Sequence, residues 1–207
     1  MSQPNQDDRQ PVTKSQITHT ALDLLEEEGI KKLSIRKIAD RLDIKGASLY
    51  WHFKNKRQLM EFVSEEICKK VALPDPASDW EKELVKLATN YRHVLLHTRD
   101  SAVVLVETPP TTPYRLELIE KVSELFKQSG MEKEDVFSAS WMLDNYITSF
   151  VIEEYRYAQL SDEEVEPHPS DEVDLPFDFS LPNMDNEFQF GLEVLMAGFK
   201  SKIRNEN

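Results

Sequence analysis

The chain has 207 residues, a formal net charge of −13 and 40% hydrophobic residues, enough apolar content for a real core in one or two domains. Cys68 is the single cysteine, which excludes a disulfide framework within one chain, and no run of about 18 apolar residues offers a membrane span. Five glycines among long charged and apolar runs favour helix over sheet.

The opening MSQPNQDDRQPVTK lacks an apolar signal core, so residues 1–12 read as a disordered arm on a cytoplasmic protein. Thr13 to Glu28 is predicted helical, with Ile17, Ala21, Leu24 and Leu25 inward and Gly29 as its stop. Ile35, Ile38, Ala39 and Leu42 paint one face of a second helix, with Ser34 at the N-cap. Asp43 to Gly46 forms a break, and Ala47 to His52 makes a helix barely two turns long. So short a helix must be held by a neighbour, which leaves its outer face free. That is the helix-turn-helix arrangement, whose second helix enters the DNA major groove. A fourth helix is expected from about Asn55 to Ala72, with Leu59, Phe62, Val63, Ile67 and Val71 buried and Cys68 a small buried hydrophobe beside them. Leu73-Pro74-Asp75-Pro76 ends it and divides a DNA-binding part, 13–73, from a second part, 74–207.

The second part reads as helix throughout: Asp79 to His97, Ala102 to Val106, Pro113 to Gln128, Lys133 to Tyr157 and Asn186 to Ile203. The last carries Phe190, Leu192, Val194, Leu195, Met196 and Phe199 nearly all round, so it needs more than one partner surface, which either core burial within one subunit or a dimer interface supplies. Ser161 to Phe188 holds ten acidic residues, four prolines and no Lys or Arg. Residues 161–185 therefore read as a mobile acidic loop; a solvated linker suits this composition, and a lid over a ligand entrance is the alternative.

Charge is unevenly placed. Nine Lys or Arg stand between Lys31 and Arg57 against Asp40 and Asp43, so this segment is +7 and the remainder −20. Such a patch neutralises phosphates. Side-chain chemistry gives the candidates for DNA contact. Arg36 can fork onto phosphate or guanine, Lys45 and Ser48 can reach base edges or phosphate, and Gly46 and Ala47 offer little chemistry beyond a contact of Ala47 with a thymine methyl. Tyr50, Trp51 and His52 form an aromatic group that either faces DNA or buries its rings, and Lys54 and Lys56 add backbone contacts. Leu49 and Phe53 are core.

The run ALDLLEEEGIKKLSIRKIADRL followed by SLYWHFKNKRQL closely resembles the DNA-binding domain of the tetracycline-repressor (TetR) family. A looser likeness continues through Trp80 to Asp100, Thr108-Pro109-Pro110, Val151 to Glu154 and Phe190 to Glu193. The resemblance implies an all-α protein: a three-helix DNA-binding domain followed by a helical ligand-binding and dimerisation domain. It also implies a homodimer on a near-palindromic double-stranded operator, released by a small-molecule inducer. On the same ground Tyr50, His52 and Lys56 clamp phosphates while Trp51 lies close to bases, and the long eighth and last helices form a four-helix bundle with their mates.

The sequence departs from the tetracycline repressors at the reading positions. Gly46-Ala47-Ser48 replaces a glutamine-proline-threonine run and Ile35 a threonine, so a different operator is expected. Leu105 stands where those proteins carry their metal-binding histidine, Pro109 at an arginine, Leu87 at a drug-contacting asparagine and Ala72 at a drug-contacting histidine, while Glu153 matches a glutamate that holds metal-bound water. No metal or cofactor is expected, and the inducer class is a hydrophobic or aromatic molecule. Tyr91, Thr108, Arg115, Trp141, Asn145 and Tyr146 are the pocket candidates. His19, His93, His97 and His168 are scattered, and neither a nucleophile elbow nor a glycine-rich phosphate loop occurs, so no catalytic residue and no enzyme is expected. An effector-independent dimeric DNA-binding protein is the alternative.

Overall fold

A computed structural model describes residues 11–160 and 182–204. The arm expected over 1–12 lies outside these residues up to Gln10, and Val12 packs against the core; the acidic loop expected over 161–185 lies outside them up to Leu181. The described residues form helices α1 (Lys14–Glu28), α2 (Ile35–Arg41), α3 (Gly46–Leu49), α4 (Lys56–Cys68), α5 (Trp80–Leu96), α6 (Ser101–Glu107), α7 (Pro113–Gln128), α8 (Lys133–Tyr157) and α9 (Met184–Arg204), with no strand among them.

Local chemistry sets most boundaries. Thr13 caps α1 through a reciprocal capping box with Gln16. Ser34, Asn55 and Asp79 accept the third backbone N–H of α2, α4 and α5. Pro113 opens α7, where its missing N–H costs nothing. Three ends differ from the sequence expectation. The α-helix at α3 closes at Leu49, and Tyr50, Trp51 and His52 follow in tight i to i+3 turns onto the carbonyls of Ala47, Ser48 and Leu49. The α4 helix stops at Cys68 and tightens the same way, because Lys70 and Val71 donate to Ile67 and Cys68. The last helix begins at Met184, inside the stretch expected to be loop, since the Asn183 side chain accepts from Asn186 N–H.

In the first part α1 crosses α2 and α4, and α3 hangs on α2. Beyond it, α5, α7 and α8 pack on one another, α6 is wedged between α4 and α8, and α9 lies on α8. Buried apolar residues form one continuous cluster from Ile17 to Phe199, so α4 belongs to the cores on both its sides. Arg92 ties α5 to α8 and α9, donating Nε and Nη2 to Glu154 at 2.9 and 2.6 Å and pairing with Asp185 at 2.8 Å. No helix of the described residues is long and apolar enough to cross a membrane.

Candidate nucleic-acid interface and ligand cavity

The turn between α2 and α3 is made by Asp43 rather than by glycine. Asp43 takes a left-handed φ of 52°, and Ile44 N–H then reaches back to the Ala39 carbonyl at 3.0 Å. Aspartate tolerates that conformation better than most side chains. Gly46, expected within the break, is instead the first residue of α3. Leu49 and Phe53 anchor the short helix in the core. Everything else on it faces out: Lys45 and Ala47 are exposed, Ser48 and His52 half-buried, Tyr50 is 57% and Trp51 90% exposed. The alternative in which these two aromatics bury their rings is thereby set aside.

The basic residues divide by use. Lys37 pairs with Glu28, and Arg41 forks onto Glu27 at 2.6 and 3.1 Å, so both are spent bracing α2 against the acidic end of α1. Arg57 meets Glu61 at 3.8 Å, and Arg36 leans towards Asp40 at 3.7 Å with 90% of its side chain exposed. Lys56 donates one of its hydrogens to the Leu33 carbonyl at 2.7 Å, which fixes the residue before the α2 cap. Lys31, Lys32, Lys45 and Lys54 make no ion pair among the described residues and stay exposed. The free positive surface is thus smaller than the +7 of the segment.

A cavity of about 710 Å³ opens between α4, α5, α6, α7 and α8. Tyr91, Thr108, Arg115, Trp141 and Asn145 line it, and so do Leu87, Leu105 and Pro109. Tyr146 does not. Its ring turns the other way, stacking on Phe188 and donating its hydroxyl to the Phe188 carbonyl at 2.6 Å, so it fastens α9 to α8. Arg115 is buried, and its two terminal nitrogens donate to Ser64, to Thr108 twice, and to the carbonyls of Pro109 and Leu105, all within 3.3 Å. It holds the turn after α6 as much as it faces the cavity. Tyr91 donates to Asp144 at 3.3 Å, and burial pushes its phenol well above the usual range. Burial likewise pushes the Cys68 thiol, at the cavity wall, up to about 12. Glu153 is exposed and pairs with Arg156 at 2.8 Å. No group of three metal-ligating side chains occurs among the described residues.

Residues 17–63 match the family description "Bacterial regulatory proteins, tetR family", and residues 73–203 match "Tetracyclin repressor-like, C-terminal domain". The chain belongs to the tetracycline repressor family. It is 31% identical to the class G tetracycline repressor of Vibrio anguillarum, over 90% of this chain and 93% of that one, and 30% identical to the class D repressor of Escherichia coli, over 93% and 91%. Among solved structures it resembles ActR of Streptomyces coelicolor in complex with actinorhodin, with a TM-score of 0.81, 25% identity and coverage of 95% and 100%. A tetracycline repressor variant of Acinetobacter baumannii in complex with minocycline gives a TM-score of 0.76 at 28% identity, over 95% and 97%. The TetR-family chain is accordingly a DNA-binding transcriptional regulator and not an enzyme.

Two features of this TetR-family regulator escaped the sequence reading. Asp144 faces the cavity, although it stands in a run of polar and aromatic residues that looks like surface. Its signal was the row Val136, Ser140, Asp144 and Thr148, four residues apart along the inner side of α8. The other is a joint between the two parts. Asp100 accepts the Ile30 N–H at 2.7 Å, and Arg99 donates to the Glu27 carbonyl at 2.9 Å and its backbone N–H to Glu26 at 2.8 Å. The turn that opens α6 therefore grips the C-terminal end of α1, while the other end of α6 forms the cavity wall.

Proposed function

We propose that this protein is a homodimeric repressor that reads a near-palindromic operator through α3 and leaves it when a hydrophobic or aromatic molecule fills the cavity. The observation that carries the DNA reading is Trp51: it stands 90% exposed beside Tyr50 on a helix otherwise fastened to the core. An aromatic pair held in water at that position, flanked by Lys45 and Lys54, suits stacking and phosphate contact. Tyr50, His52 and Lys56 serve as phosphate contacts, Lys56 with the two hydrogens it does not give to Leu33. Arg36, Lys45, Gly46, Ala47, Ser48 and Trp51 face the bases or their rim, with Lys54 on the backbone. Residues 13–73 act as the reading unit, 74–207 as the regulatory one, and the protein works in the cytoplasm.

The inducer differs from magnesium–tetracycline. Leu105 is buried in the cavity wall at the place of the metal-binding histidine, which removes the nitrogen ligand. Tyr91, Thr108, Arg115, Trp141 and Asn145 remain as ligand candidates, and the complexes of ActR with actinorhodin and of the Acinetobacter baumannii repressor with minocycline support a small-molecule effector. Filling the cavity would displace α6, whose first turn holds α1, and so shift the reading helices of the dimer away from two successive major grooves.

The test is a titration of the purified protein against DNA from immediately upstream of its own coding region at two salt concentrations. Saturable binding that survives excess competitor DNA is the expected result. Binding that competitor removes, and that vanishes at the higher salt, would leave only the electrostatic term and count against the reading.

A further inference from the structure

We propose that the cavity selects ligands that carry a protonated amine on an aromatic or polycyclic body, with Asp144 receiving the ammonium group. The inference rests on the cavity being the effector site.

The polar groups around the cavity are mostly spent. On α8, Ser140 donates to the Val136 carbonyl at 2.8 Å, Asn145 to Trp141 at 2.7 Å and Thr148 to Asp144's own carbonyl at 2.9 Å. On α6, Thr108 donates to Val104 at 2.7 Å. The Arg115 guanidinium, buried in the wall, shares Nη1 among oxygens of Ser64, Thr108 and Pro109 and gives one Nη2 hydrogen to Leu105, which leaves its other Nη2 hydrogen and its Nε–H without a protein acceptor among the described residues. The hydroxyls are spent, while Asn145 keeps one amide hydrogen and Arg115 two N–H groups that a guest could use. Asp144 is different. Among the described residues its carboxylate receives a single bond, from Tyr91 at 3.3 Å on Oδ1, and the residue is solvent-exposed through the cavity while protein crowds around it. Burial raises its pKa against the opposing pull of Arg115, which is what a carboxylate short of partners does.

A guest that brings its own donor and positive charge supplies what Asp144 lacks. A neutral guest that displaced its water would leave that charge under-solvated, and an anionic one would set a second negative charge beside it. The walls fit the rest of such a molecule: Leu87, Leu105, Leu118 and Val122 are apolar, and Tyr91 and Trp141 present rings that attract a cation. Arg57, Lys127 and Lys133 also border the cavity and, like Asp144, are exposed, so salt weakens each of these charges.

The experiment is a thermal-shift titration of the full chain with naphthalene and acridine skeletons, each bearing an aminomethyl, a hydroxymethyl or a carboxylate group. The aminomethyl members are expected to half-saturate at concentrations about tenfold or more below their hydroxymethyl isosteres, the scale of one charge-assisted hydrogen bond. Asp144→Asn should abolish that preference and leave the hydroxymethyl members binding as before. Equal or stronger binding of neutral or anionic members, or a preference that survives Asp144→Asn, overturns the inference and leaves the cavity as a neutral effector site. If no member of any charge shifts the melting temperature, the effector cavity itself is refuted. Should Asp144→Asn not fold, the ranking by the wild-type protein decides alone.

Discussion

Gly46 opens α3 with nothing within 4 Å of the place where a Cβ would stand, so the fold itself makes no steric demand for glycine there. A missing side chain on the outer face of a reading helix leaves room for a base edge or a phosphate. Gly46→Ala should therefore keep or slightly raise stability, by about 1 kcal/mol or less, while operator affinity falls by roughly tenfold, the scale of one disturbed base contact. Melting curves and operator titrations on the same preparation check this, and unchanged affinity would take Gly46 out of the interface. At this scale the sequence was legible where chemistry is local: Trp51 and Tyr50 stand out, and Leu49 and Phe53 go in. It was not legible where the partner is remote in sequence. Nothing near Lys37 or Arg41 announces Glu28 and Glu27 on another helix, so the counted charge overstated the free charge. Tyr146 was misplaced for the same reason, its hydroxyl being claimed by Phe188, 42 residues on.

Among the elements, α6 meets both the end of α1 and the cavity. Its seven residues run from the turn that caps α1 to the wall of the cavity. The contact is tight on the α1 side: Gly29 has a φ of +82°, and a Cβ there would lie 2.9 Å from an Asp100 carboxylate oxygen. Gly29→Ala should cost about 1–3 kcal/mol from the backbone alone, with crowding of Asp100 added, and should loosen the grip of α6 on α1. We expect a lower melting temperature together with weaker operator binding in the absence of any ligand, even though Gly29 is not a DNA contact. An operator affinity equal to wild type in a folded Gly29→Ala protein would show that the joint does not position the reading helix. The helices themselves were readable from apolar spacing and caps to within a few residues. The joint was not, because it is made of backbone groups and of two residues, Arg99 and Asp100, that read as an ordinary polar turn.

For the molecule as a whole, the apolar character that surrounds α9 resolves into two faces. Phe188, Leu192, Met196 and Phe199 are buried in the chain's own core, while Phe190 and Val194 are 67% and 56% exposed one turn apart, and Phe137 and Met142 on α8 are also bare. Regulators of this family function as dimers, and these faces are the surface we expect the second copy to cover. Val194→Glu, a charge set in that face, should yield monomers in sedimentation and reduce operator affinity by at least about 100-fold through loss of bivalent contact. A dimer that persists would place the interface elsewhere. The chain's three tryptophans are Trp51 on the reading face, Trp141 at the edge of the cavity and Trp80 at the start of α5, half-buried. Two of the three stand at the two places where a partner would arrive, so the indole emission of the unlabelled protein carries a separate optical signal for each encounter.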